Sequence, residues 1–136
     1  MGIYLNPGND GFRRAVRSEI YVDKTGLIAL TNKYLDTEQQ FICVSRPRRF
    51  GKSMALGMLA AYYSRGCDSR KLFGGLKIED DPTYEEYLNR YDVIYLNMQQ
   101  FLIEAASERI TEYLGQEVYG ELLREYEEFL GKDRMG

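Results

Sequence analysis

The sequence contains no histidine and no tryptophan, and only two of its 136 residues are cysteines. Catalytic groups that pair a serine or cysteine with histidine are therefore excluded, which removes most hydrolase families. A structural zinc site usually takes about four cysteine or histidine ligands, so we expect no zinc. Cys43 lies in an apolar run and is predicted to be a buried hydrophobic residue, and nothing near Cys67 indicates a nucleophile.

The sequence also lacks long hydrophobic runs. No run approaches the roughly 18–20 apolar residues of a membrane span, and the N-terminus shows no basic region followed by an apolar one. Asn6 stands where a myristoylation pattern needs serine or threonine. With 44% hydrophobic and 29% charged residues, the composition is that of a globular domain. We expect a soluble, cytoplasmic protein with no membrane partner.

The charges are distributed unevenly along the chain. Residues 1–75 carry 12 lysines and arginines and 6 acidic residues, whereas residues 76–136 carry 6 and 15. A basic half is suited to phosphate groups or nucleic acid. The alternative is an ordinary solvated surface, and we favour that interpretation for the acidic half.

Apolar spacing predicts a helix over 23–35, a second from about Gly51 onward, and a long amphipathic helix near the C-terminus. The short apolar runs 40–45 and 92–98 are predicted to be buried strands. Helices that alternate with strands are typical of an α/β fold. The predicted fold class is therefore α/β, with a small parallel sheet and flanking helices.

The stretch CVSRPRRFGKSM, residues 43–54, joins the first predicted strand to the second predicted helix. Gly51-Lys52-Ser53 is the usual end of a phosphate-binding loop, in which backbone N–H groups and the helix dipole face an anion. Lys52 would reach the β- and γ-phosphates as the catalytic residue, and the Ser53 hydroxyl would bind Mg²⁺. The candidate nucleotide-binding residues are Arg46, Pro47, Arg48, Arg49, Phe50, Gly51, Lys52, Ser53 and Met54.

The start of this loop departs from the common pattern. Arg46 occupies the position of the first glycine, and Pro47 removes one backbone donor. Guanidinium groups compensate in part because they bind phosphate oxygens in bidentate fashion. A basic turn that binds no ligand is the alternative interpretation.

Four stretches occur in a fixed order: YVDKTGLI (21–28), SRPRRFGKSM (45–54), LFGGLKI (72–78) and YDVIYLN (91–97). Together they resemble the N-terminal part of the AAA-ATPase-like family, in which RPRRFGKS is the Walker A loop and a PD-(D/E)XK nuclease-like domain often follows. The resemblance implies a partial P-loop NTPase fold that binds ATP and Mg²⁺.

On this resemblance, residues 1–136 form the N-terminal portion of a P-loop domain that is truncated. Residues 1–38 are a lead-in that contains YVDKT, and residues 39–136 are the P-loop α/β core. The resemblance also suggests that Tyr21, Asp23 or Lys24 lines the nucleotide base, whereas the simplest role of Asp23 is to cap the following helix.

No apolar run in the sequence ends in the acidic pair of a Walker B strand, since VIYLNM contains Asn97 at that place. Asn97 itself is a candidate for the edge of the site. An acidic residue normally holds magnesium and orients water in phosphoryl transfer, so ATP binding is predicted and ATPase activity is left open. The alternative is a phosphate-binding, nucleic-acid-binding or protein-interaction fragment that uses the RPRR loop without hydrolysis. Nucleotide, nucleic acid and further copies of the chain are the partners considered.

Overall fold

The computed structural model describes residues 4–44, 52–98, 112 and 114–124. The helices are α1 (Asp10–Val16), α2 (Gly26–Tyr34), α3 (Lys52–Tyr63), α4 (Arg70–Phe73), a 3₁₀ helix (Lys77–Asp80) and α5 (Tyr84–Tyr87). Residues 114–124 are helical as well and are called α6. Among the described residues, no helix has the length and apolarity required to cross a membrane.

The chain divides into two compact units, one formed by Gly8–Val93 and the other by Met1–Pro7 with Ile94–Gly136. The core of the first unit centres on α3, in which Ala61 and Tyr62 lie three and four residues after Met58 and therefore share its face of the helix. The residues packed around them come from the other elements of the unit. They are Phe12, Ile28, Phe73, Ile78, Tyr84 and Leu88.

A buried polar network ties α2, α3 and α5 together inside this core. The side-chain amide of Asn32 donates to the Tyr62 hydroxyl at 3.1 Å and to the Thr83 hydroxyl at 3.0 Å, and its oxygen accepts from the Tyr63 hydroxyl. Tyr62 in turn donates to the carbonyl of Tyr84 at 2.7 Å. These bonds satisfy polar groups that would otherwise be costly to bury.

In the other unit, α6 holds the N-terminal segment. The buried carboxylate of Glu121 accepts the backbone N–H groups of Tyr4 and Leu5, each at 2.8 Å. An isolated antiparallel bridge joins Leu5 to Ile94, and the N–H of Tyr95 donates to the carbonyl of Tyr4 at 2.7 Å. A side chain thus fixes a segment that a sheet would normally hold.

The helix predictions are confirmed where they fall on described residues. α2 lies within the predicted 23–35, and α3 begins one residue after Gly51. The chain leaves α3 through Gly66, whose φ of +91° is a left-handed conformation that glycine adopts at little cost. Of the C-terminal amphipathic helix, residues 114–124 are described and are helical.

The prediction of an α/β fold with a parallel sheet is wrong for the described part of the chain, which contains no strand. Residues 41–44 have no regular secondary structure and form no bridge with any described residue, and Phe41 is 88% exposed. In the second run, 92–98, Ile94 forms a single bridge with Leu5, and Tyr91, just before the run, forms another with Ser64.

The physical reason for this error is that pairing is a tertiary property. A short apolar run indicates a tendency toward extended backbone, but a strand is stable only when neighbouring strands supply the ladder and cover its faces. Cys43, predicted to be buried in the first run, is exposed for the same reason.

Candidate functional site

The first turn of α3 is the place where the sequence predicts the phosphate-binding loop to end. α3 begins at Lys52 and is 12 residues long, so its aligned peptide dipoles favour an anion at its N-terminal end. Ser53 and Met54 lie in this turn and are exposed. The side chain of Lys52 lies outside the described residues. So do the loop residues Arg46, Pro47, Arg48, Arg49, Phe50 and Gly51.

An apolar recess of about 200 Å³ lies beside this turn, within the unit of residues 8–93. Three parts of the chain line it: α1, the segment 20–24 that precedes α2, and the first two turns of α3. The lining residues are Phe12, Ala15, Ile20, Tyr21, Val22, Lys24, Met54, Ala55 and Met58. The recess and the predicted phosphate-binding turn therefore share the start of one helix.

Segment 20–24 forms the wall of the recess that is most open to solvent. Ile20 is 86% exposed and Val22 is 64% exposed, so the recess presents apolar surface that a ligand is able to cover. The Tyr21 ring meets the Phe12 ring edge to face, with the centroids 6.1 Å apart. Burial raises the pKa of Tyr21, which keeps its hydroxyl neutral and able to donate or accept a hydrogen bond. Lys24 is the charged residue of the lining.

Asp23 does not line the recess but connects its wall to a distant part of the unit. Its Oδ1 accepts hydrogen bonds from the backbone N–H and the hydroxyl of Thr25, at 2.9 and 2.6 Å. Its Oδ2 accepts the N–H of Lys77 at 2.8 Å. The hydroxyl oxygen of Thr25 accepts the N–H of Ile78 at 3.1 Å. Partial burial raises the pKa of Asp23, but the hydrogen bonds from Thr25 and Lys77 outweigh it and lower the pKa.

These contacts correct the predicted role of Asp23 as a helix cap. Thr25 is the N-cap residue of α2, and no side chain donates or accepts a capping hydrogen bond there. Asp23 lies two residues earlier, and one of its oxygens bonds a segment 54 residues away. The side chain therefore fixes tertiary structure as well as the local turn.

The structure brings together some of the predicted site residues. Tyr21, Lys24 and Met54 line one recess, whereas Asp23 does not line it and Asn97 is exposed in the other unit. The sequence analysis missed the remaining lining residues. They are Phe12, Ala15, Ile20, Val22, Ala55 and Met58. Their apolar character was visible, but spacing alone does not show which apolar side chains surround a cavity.

Among the described residues, no three cysteine, aspartate or glutamate side chains are grouped so as to hold a metal ion. The carboxylate of Asp23, next to the recess wall, accepts hydrogen bonds from Thr25 and Lys77. Ser53 remains the candidate metal ligand from the sequence, and it is exposed in the first turn of α3.

Comparison with known proteins gives one result for this chain. A family model described as predicted AAA-ATPase matches residues 8–133. No match was found among the curated proteins or the solved structures. The matched residues span almost the whole chain and include the recess, the Asp23 contacts and the first turn of α3. The chain therefore belongs to the AAA-ATPase-like family.

Proposed function

We propose that this chain is a nucleotide-binding module that binds ATP at the start of α3. The observation that carries the proposal is the apolar recess beside the turn in which Lys52 and Ser53 stand. The residues that follow them directly, Met54 and Ala55, line the recess. Since one helical turn rises only about 5.4 Å, a single molecule is able to contact the helix start and the recess together.

The size of the recess agrees with a base and not with a whole nucleotide. Its volume of about 200 Å³ is below the roughly 300–1,000 Å³ of pockets that enclose a drug-sized ligand. A flat apolar ring fits such a site, and the Tyr21 hydroxyl and Lys24 offer polar contacts to its edge. The phosphates would then lie outside the recess, at the positive end of the α3 dipole.

The phosphate contacts are assigned from the sequence. We propose that backbone N–H groups around Gly51 and the ammonium of Lys52 bind the β- and γ-phosphates. Arg46, Arg48 and Arg49 would add bidentate contacts to phosphate oxygens. Bound Mg²⁺ would neutralise phosphate charge, with the Ser53 hydroxyl as its protein ligand and waters completing the shell. Family membership supports nucleotide and metal use in general.

The proposal covers binding and not turnover by this chain alone. The sequence contains no apolar run that ends in the acidic pair of a Walker B strand, and the carboxylate of Asp23, next to the recess wall, already accepts hydrogen bonds from Thr25 and Lys77. We therefore expect ATP hydrolysis to require an acidic group from elsewhere.

Titration calorimetry with MgATP tests the proposal, with wild type compared with Lys52→Ala. We expect saturable binding by wild type and loss of binding in the variant. Alanine has a high helix propensity, so α3 is expected to remain intact, and circular dichroism of both proteins checks this. A folded wild type that does not bind MgATP would refute the proposal.

A second candidate function is binding of nucleic acid through the RPRR loop. The observation that favours it is at the end of α1, where Arg14 and the C-cap residue Arg17 are exposed and have no ion pair with any described residue. This function predicts affinity for single- or double-stranded DNA that falls steeply with salt and is unchanged by ATP. Fluorescence anisotropy with a labelled oligonucleotide at two salt concentrations, with and without MgATP, separates the two functions.

A further inference from the structure

The Asp23 contacts act on segment 20–24, which forms one wall of the recess, although Asp23 itself does not line the recess. Segment 20–24 connects α1 to α2 without regular structure of its own. Ile20 and Val22 are mostly exposed, so packing does little to fix their positions. Tyr21 is the residue of this wall that packs against the core, through Phe12. Hydrogen bonds to the side chains of Asp23 and Thr25 must therefore contribute much of the restraint on this wall.

We propose that Asp23 and Thr25 are positioning residues for the ligand bound in the recess, and that they act by tying the recess wall to residues 77–78. The proposal rests on the nucleotide-binding function proposed above. Neither side chain touches the ligand. Their effect passes through Tyr21 and Lys24, whose backbone they hold, so they set the width of the recess between segment 20–24 and α3.

The two oxygens of Asp23 accept hydrogen bonds from different parts of the chain, so a substitution is able to remove one set of bonds and keep the other. Oδ1 closes the local turn to Thr25, whereas Oδ2 forms the long-range bond to the N–H of Lys77. Thr25 is fully buried and adds the second long-range bond, to Ile78. In Asp23→Asn one acceptor oxygen remains, enough for the local turn, while the amide nitrogen cannot accept from a backbone N–H.

The chain supplies a matched control at another Asp-x-Thr sequence. Asp81 Oδ1 accepts the backbone N–H of Thr83 at 2.9 Å and also accepts the Thr83 hydroxyl, as Asp23 does with Thr25. Neither Asp81 nor Thr83 lines the recess. Asp81→Asn thus makes the same chemical change in the same local motif without touching the recess wall.

The experiment measures the Kd of MgATP and of inorganic tripolyphosphate for wild type, Asp23→Asn and Asp81→Asn. Tripolyphosphate has no base and reports only on the phosphate contacts. We expect Asp23→Asn to weaken MgATP binding on the order of tenfold, because a misplaced wall misaligns the bound ring, and to leave tripolyphosphate binding within about twofold of wild type. Asp81→Asn should bind both ligands like wild type.

Each outcome bears on the proposal. If Asp23→Asn weakens the binding of MgATP and of tripolyphosphate equally, the variant has lost structure in general. If its affinity for MgATP is unchanged, the recess wall does not need this restraint. Either result overturns the positioning role and leaves ATP binding by wild type unaffected. A wild type that binds neither ligand would overturn the nucleotide-binding function together with this inference. If Asp23→Asn does not fold, Thr25→Ser is measured in the same way. This variant keeps the hydroxyl and loses the packed methyl group, so it should retain wild-type affinity for both ligands. Selective loss of either affinity would contradict the assigned role of the hydroxyl.

Discussion

Two residues of α3 allow the nucleotide site to be tested with a closely matched pair of substitutions. Met54 is 53% exposed and lines the recess, whereas Leu56 is 50% exposed and does not. Both lie early in the same helix, and alanine is a strong helix former at either position. Met54→Ala and Leu56→Ala therefore remove similar apolar surface with similar effects on folding, and differ in their relation to the recess.

The expected effect of Met54→Ala follows from the surface that a ligand would cover. Complete burial of a methionine side chain is worth roughly 1.5–3 kcal/mol. About half of this side chain is still exposed before a ligand binds, so covering the exposed half contributes about 1 kcal/mol. Since 1.4 kcal/mol corresponds to a factor of ten, Met54→Ala should raise the Kd of MgATP about fivefold.

The assay is titration calorimetry with MgATP at one temperature at which wild type and both variants are folded. We expect the Kd for Leu56→Ala to stay within about twofold of wild type, because Leu56 does not line the recess. Equal affinities for wild type and Met54→Ala, or equal losses in both variants, would mean that the ligand does not occupy the recess.

Two further predictions concern the buried polar network. Asn32→Ala removes three side-chain hydrogen bonds at about 1 kcal/mol each, while the Tyr62 hydroxyl keeps its bond to the Tyr84 carbonyl and the Tyr63 hydroxyl keeps its bond to Thr31. The free energy of unfolding measured by urea denaturation should therefore fall by about 3 kcal/mol. A fall of less than about 1 kcal/mol would argue against the network. Burial raises the pKa of Tyr63 from its ordinary 10.0 to about 12, so the unfolded chain releases this proton first and the free energy of unfolding should fall from about pH 10 to pH 12. Tyr63→Phe should show a shallower fall over the same range, and identical pH profiles would contradict the assignment.

The helices of this chain were predictable because their signals are local. Met54, Met58, Leu59, Tyr62 and Tyr63 repeat at the helical period, and this pattern gave α3 almost to the residue. The apolar runs at 41–44 and 92–98 carry no comparable period. Whether such a run becomes a strand depends on neighbours far away in the sequence, and for this reason the predicted sheet was wrong.

The candidate site also has one part that is local in the sequence and one part that depends on long-range packing. Gly51-Lys52-Ser53 is recognised from three adjacent residues, but a recess that combines Phe12, Tyr21 and Met54 depends on how α1, segment 20–24 and α3 pack together. Spacing in the sequence does not contain that packing. The suggestion that Tyr21, Asp23 or Lys24 lines a nucleotide base came from a family resemblance and stays a prediction; Tyr21 and Lys24 line the recess, and Asp23 does not.

Asp23 shows how two stretches that appear independent in the sequence become parts of one structure. YVDKT and LFGGLKI are separated by more than forty residues, and the local sequence of each indicates a turn next to a helix. In the folded unit the carboxylate of Asp23 and the hydroxyl of Thr25 accept the N–H groups of Lys77 and Ile78, so LFGGLKI supplies donors that YVDKT needs. Both oxygens of Asp23 accept hydrogen bonds, so we expect that glutamate, with its longer side chain, would not replace it without moving the recess wall.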